Sequence, residues 1–290
     1  MGGDVCFTTS LKVRLPSSRN SVAKRTRVAW TCSISRRDFM AGSGALALTL
    51  LTPNKPAEAR GLVLLPLRSP LENRYYFMRA GESKYDALGV IKTNPVEKLN
   101  VENGLTEKGH YQAVYAADKL EKNNIGPFGD REFWIWTGTD AKASETAEIL
   151  MTRLNMRREN LVPEYSYLDC RGMGVYEGVE TTKAVPIINS IDEKDHYLRM
   201  DLGEDGTPNE SIHDVFLRMR QLISKTETMY QACDIVFVSP DSYTLSVLEC
   251  ALRNEELRHY GHYSYKPGEL RAVVPTLVDP MLNYRKTSAA

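Results

Sequence analysis

Hydrophobic and polar positions recur along this chain in two alternating periods. Arg74 to Met78 is a short apolar run rich in aromatic residues, which predicts a strand. Leu105 opens a segment with Val114, Ala117 and Leu120 at helical spacing, predicting a helix to about Lys122. Glu132 to Thr137 reads as a second strand with Trp134 and Trp136 on one face, and Lys142 to Leu154 as a helix presenting Ala143, Ala147, Leu150 and Leu154. A third strand is expected to span Leu161 to Leu168, then a long amphipathic helix runs from Asn209 to about Gln231. Asp234 to Ser239 is the most apolar strand, with a helix directly behind it from Ser242 to Arg253, and Leu270 to Val274 reads as a last strand at an edge. The polar stretch from about 179 to 208 reads as an inserted loop region. Strands alternating with helices predict an α/β fold: a mostly parallel sheet with helices on both faces, in three α/β/α layers. Ligand sites in such sheets form at the carboxyl ends of the strands, so the turns after Met78, Thr137, Leu168 and Val238 are where chemistry is expected.

The first 59 residues do not share these periods. Met1 to Arg37 carries eight Lys or Arg and a single acid, Asp4, amid frequent Ser and Thr. That composition predicts a chloroplast transit peptide over residues 1–35. Ser35-Arg36-Arg37-Asp38-Phe39, the apolar run to Leu51 and Ala57-Glu58-Ala59 then predict a twin-Arg lumenal signal over 36–59, cleaved before Arg60. The order of the two parts leads to the thylakoid lumen and leaves residues 60–290 as a single domain. Removing the presequence changes the charge from zero to about −6, since 28 basic and 34 acidic residues remain. A mildly acidic domain without basic runs gives no footprint for nucleic acid. Nothing after the signal is long and apolar enough to cross a bilayer, and Leu62 to Leu67 is expected to pack on the domain. Cys170, Cys233 and Cys250 have no metal-ligand spacing, so no metal or other cofactor is expected. Cys233 and Cys250 fall at one end of a strand–helix pair, where a disulfide would suit an oxidising lumen, but a helix packed on a sheet usually holds its Cα atoms too far from the strand for a bridge.

Candidate chemistry begins at the first strand's end, Tyr75-Tyr76-Phe77-Met78-Arg79-Ala80-Gly81-Glu82-Ser83. The string resembles the Arg-His-Gly-Glu-Ser turn of the histidine phosphatase superfamily, the phosphoglycerate mutase-like proteins. Further landmarks follow in that family's order: Leu105-Thr106-Glu107-Lys108-Gly109 with Gln112-Ala113, Thr137 to Ala147, Gly174-Val175-Tyr176-Glu177-Gly178, and Val236-Phe237-Val238-Ser239 before a helix. The resemblance implies that family's fold from about Asn73 to Pro275. It also implies a site in which a His attacks phosphorus, Arg side chains and a second His bind the phosphoryl oxygens, and a carboxylic acid protonates the leaving group.

Carried over residue by residue, the resemblance places Ala80 at the nucleophilic His, Cys170 at the acid and Pro240 at the second His. Arg79 and Arg171 retain family arginines, whereas Lys142 stands where an Arg is usual and loses its bidentate fork. A methyl group cannot attack phosphorus, and Pro240 has no donor. The candidate site is therefore an anion pocket without chemistry, built from Arg79, Gly81, Lys142 and Arg171. The competing reading is that Arg79 pairs with an acid such as Glu82 or Glu177. Three functions stay open: a catalytically dead scaffold or assembly factor for a photosynthetic complex in the thylakoid lumen; a phosphatase or mutase rewired around Cys170; and a sensor of a phosphorylated or other anionic ligand. The implied partners are a lumenal protein and a phosphate-like anion.

Overall fold

A computed structural model describes residues 63–278 apart from Pro66 and Arg68. The transit peptide, the twin-Arg signal and the cleavage point expected for residues 1–60 lie outside the described residues.

The elements run β1 (Arg74–Arg79), α1 (Lys84–Leu88), α2 (Glu107–Lys122), β2 (Phe133–Gly138), α3 (Ala141–Arg153), β3 (Leu161–Glu164), α4 (Thr181–Lys194), α5 (Ile212–Met229), β4 (Asp234–Ser239), α6 (Ser242–Leu252) and β5 (Leu270–Val273). The sheet order is β3-β2-β4-β1-β5. The first four strands in that order are parallel, and β5 closes the edge antiparallel to β1.

Strand side chains alternate with a period of two, and this splits the core into two layers. Tyr75, Phe77, Trp136, Ile235 and Phe237 face one side, where α5 and α6 supply Val215, Met219, Leu222, Leu245 and Leu248. Tyr76, Met78, Phe133, Ile135, Val236 and Val238 face the other, against Ala116, Ala117 and Leu120 of α2 and Ala143, Ala147 and Leu150 of α3. The small alanines let these two helices lie close to the sheet. Every residue of β4 is buried, which explains why its sequence is a near-continuous apolar run. Leu67 is buried in the first layer with Val63 and Leu65 packed against it, as expected of the Leu-rich opening.

Two readings need correction. The third strand ends at Glu164 rather than running to Leu168. The segment about 179–208 is not irregular: it contains the fourteen-residue helix α4. Pro186 lies inside that helix and removes one backbone donor, which is why the segment reads as a loop. Tertiary packing overrides this. Ala184 and Ile188 bury against Ile91, Met173 and Met200 in a third, smaller apolar cluster.

Candidate functional site

Four strand ends build the site. β1 and β4 lie in register, Arg79 opposite Ser239, so the turns carrying Ala80 and Pro240 emerge side by side. Ala80 is fully buried, its amide donating to the Ser239 carbonyl at 2.9 Å and its methyl packed in the second core layer. Pro240 and Cys170 line the cavity beyond, and Asp241 caps α6 by accepting from the Thr244 amide at 3.1 Å.

The turn after Ala80 is held by contact between backbones. A Cβ on Gly81 would lie 2.5 Å from the Gly109 carbonyl oxygen, and one on Gly109 would lie 2.2 Å from that of Glu82. Glycine is required at both positions because the β1 turn touches the start of α2. The Gly81 amide donates to Thr146 Oγ1 at 3.0 Å, and that of Glu82 to Gln112 Oε1 at 2.9 Å. Gly81 therefore presents no free amide for an anion.

The three expected cations do not converge. Arg79 and Lys142 do meet, on a carboxylate that the sequence reading did not single out. Asp86 Oδ1 accepts from Arg79 Nη2 at 2.9 Å, while Oδ2 accepts from Lys142 Nζ at 3.2 Å. Ser83 donates to Oδ2 from both its amide and its hydroxyl, and accepts the Asp86 amide in return, a capping box that opens α1. Burial would push the Asp86 carboxyl up, but Lys142, Arg79 and the Ser83 hydrogen bonds outweigh it and hold the group at about 2. The same attraction to Asp86 overcomes burial at Lys142 and raises its pKa. Glu82 pairs instead with Lys108, and Glu177 lies near Lys92, so neither acid is the partner of Arg79.

Arg171 is placed elsewhere. Its side chain is fully buried, and its two terminal nitrogens donate to Asp192 at 2.7 and 2.8 Å, while Nε donates to the Glu210 carbonyl. Asp192 projects from α4 and also accepts from Tyr260. This fork-to-fork pair consumes the bidentate geometry that would otherwise bind a phosphate, and Arg171 serves packing between α4 and the domain.

The cavity over the strand ends measures about 410 Å³. Arg79, Asp86 and Lys142 lie in it beside Tyr85, Ile91, Met173, Val185 and Tyr243. None of the five histidines lines it. Burial, then Asp140 and Asp241, push the Cys170 thiol well above its ordinary value, overriding the opposing pull of Lys142. Asp140 caps α3 and accepts from Asn103 at 2.8 Å; burial lifts its carboxyl to about 6. Cys233 and Cys250 are free thiols. Among the described residues no cluster of His, Cys, Asp or Glu could hold a metal, and no helix is long and apolar enough to cross a membrane. Such an arrangement can bind and orient a ligand.

The sequence model of the histidine phosphatase superfamily (branch 1) matches residues 75–277. A search of curated protein sequences returns no match. Among solved structures, a mycobacterial glucosyl-3-phosphoglycerate phosphatase in complex with VO3 is similar with a TM-score of 0.53 at 17% identity, over 71% of this chain and 99% of the other. The phosphoserine phosphatase of Entamoeba histolytica in complex with 3-phosphoglyceric acid gives 0.51 at 18% identity, over 71% and 95% of the two chains. An open reading frame product of Mycobacterium tuberculosis gives 0.51 at 17%, over 71% and 98%. At these identities the likeness is one of fold.

Proposed function

This chain belongs to branch 1 of the histidine phosphatase superfamily, and from that membership we propose that it is a non-catalytic member which acts by binding: a scaffold or auxiliary factor for a photosynthetic complex in the thylakoid lumen. The observation that carries the reading is the Arg79–Asp86–Lys142 arrangement beside a buried Ala80. Where the resemblance implies a nucleophilic His, the chain offers a methyl group sealed in the core. The two cations that remain at the strand ends are bridged by the protein's own carboxylate. Loss of the attacking group leaves only positioning and electrostatics, and here the electrostatics are largely satisfied from within.

The rewired-enzyme reading finds little support. A nucleophilic Cys170 needs thiolate character, and burial among Asp140, Asp241 and Asp169 works against it. The ligand-sensing reading has a specific observation in its favour, namely the mixed aromatic and aliphatic cavity with Lys142 in its wall.

The lumenal address rests on the order of the two presequence parts, a basic Ser-rich segment followed by a twin-Arg signal. Affinity capture of the tagged mature chain from lumen-side thylakoid extract tests the whole reading. Recovery of photosystem, cytochrome or NDH subunits in stoichiometric yield supports it. Absence of the protein from the lumen in protease-protection assays on imported precursor contradicts it.

A further inference from the structure

The central cavity has a chemical character that differs from that of a phosphate site. Its lining carries three cations, Arg79, Lys92 and Lys142, and two carboxylates, Asp86 and Asp241. Lys92 is already held by Glu97 at 2.9 Å. Asp86 stands between the other two cations, at the position from which a ligand's acid group would bridge them. Asp140, one residue before α3, adds a further negative charge behind Lys142 when ionised. Donor capacity nevertheless remains. Lys142 Nζ has three protons and one carboxylate partner, and Arg79 Nε is buried without an acceptor. The walls above are apolar or aromatic, from Tyr85, Ile91, Met173, Val185, Tyr243 and Tyr260, and the volume of about 410 Å³ suits a ligand of the size of a substituted ring.

We propose that this cavity takes a monocarboxylate with an aromatic or branched aliphatic body, its single negative charge on Lys142 and Arg79 and its apolar part between Tyr85, Met173 and Val185, in preference to a dianionic phosphate monoester. The inference rests on the non-catalytic reading of the site. With Lys92 paired to Glu97, Arg79 and Lys142 are balanced by Asp86 and Asp241, so a dianion would meet the Asp86 carboxylate with two charges and no positive surplus, whereas a monoanion meets that repulsion once. In a cavity partly shielded from water that mismatch is screened less than on an open surface.

Titration calorimetry of the mature chain with 3-phenylpropionate and with phenyl phosphate at pH 8 tests the idea, because the two probes share a ring and differ in charge. Phenylpropionate is expected to bind about tenfold more tightly. At pH 5 phenyl phosphate carries a single charge, its second ionisation lying near pH 6, and its affinity is expected to rise toward that of the carboxylate. Asp86→Asn keeps an oxygen for the Ser83 cap and removes the facing negative charge, so it is expected to narrow the difference between the two probes at pH 8. Val185→Phe, which narrows the cavity and leaves its charges alone, is expected to weaken both probes. Equal or tighter binding of phenyl phosphate by the unaltered chain at pH 8, or no binding of either probe at about 1 mM, overturns the proposal. Phenol released in the same cell would instead contradict the non-catalytic reading, which keeps the two failures distinct.

Discussion

Arg79 Nη2 donates to Asp86 Oδ1 at 2.9 Å across the turn that joins β1 to α1. The contact links a cation that the family resemblance assigns to phosphate with a carboxylate seven residues on, in the first turn of α1, and Lys142 completes the bridge from α3. Its pH dependence has a defined sign. The folded Asp86 carboxyl, at about 2, lies below the ordinary unfolded value of about 4. Its contribution is present above pH 4 and lost as pH falls toward 2. Asp86→Asn is therefore expected to lower stability at pH 7 by up to about 2 kcal/mol, with the difference shrinking as both proteins are acidified. Denaturant unfolding at pH 7, 4 and 2.5 checks this.

Asp140 is expected to behave in the opposite sense. Burial raises its folded carboxyl to about 6, so the folded state favours the protonated group. The stability it contributes is full below about pH 4 and lost as pH rises through 6. Asp140→Asn retains an N-cap oxygen and removes the cost of burying the charge. Its thermal midpoint is expected to match the parent at pH 4 and exceed it at pH 8, by up to about 3 kcal/mol of stability.

Much of the fold is legible in the sequence, and the parts that are not fail for related reasons. The apolar run of β4, the Trp134 and Trp136 spacing of β2 and the helix behind β4 all follow from local period, because burial on both faces of a sheet leaves no ambiguity at such positions. α4 is not legible, since Pro186 and a polar composition hide the Ala184 and Ile188 stripe. The misplacement of Arg171 follows from that omission: its partner Asp192 sits on the hidden helix, 21 residues away. Asp86 carried a usable signal. Ser83 and Asp86 form the Ser-x-x-Asp spacing of a capping box directly after the β1 turn, and that spacing marks a helix start whose acid lies beside the site. What sequence cannot supply is the long-range step, in which Lys142 of α3 reaches the same carboxylate.

The Arg171–Asp192 pair is fully enclosed, so removing one partner leaves an uncompensated charge. Asp192→Ala is expected to cost about 3–5 kcal/mol, measured as a shift in the urea midpoint with an unchanged slope. A double replacement, Arg171→Met with Asp192→Leu, is expected to cost clearly less than the single change, because no charge is then left buried alone.

The Cys170 thiol is raised by burial and by neighbouring carboxylates, so it is expected to be slow toward iodoacetamide at pH 7. Alkylation followed by mass spectrometry should show Cys170 reacting well below the rate of a free cysteine peptide. Cys170→Ser is expected to leave every ligand-binding measurement essentially unchanged, since the thiol lies in the cavity wall without a charge.

Ala80→His is expected to fail as a rescue. Ala80 is packed at the strand end with no exposed surface, so a larger side chain costs about 1–3 kcal/mol in overpacking. Even where it is accommodated, Cys170 supplies no acid, Pro240 no donor, and Asp86 still holds both cations. Incubation with acetyl phosphate followed by intact-mass measurement is expected to show no phosphohistidine.

The central claim is that this site binds without turning over, and its most direct test is phosphate release from p-nitrophenyl phosphate and 3-phosphoglycerate by purified mature chain between pH 5 and 8. The expected rate equals that of buffer, and Arg79→Ala leaves it unchanged. A rate well above buffer that Arg79→Ala abolishes would contradict the account.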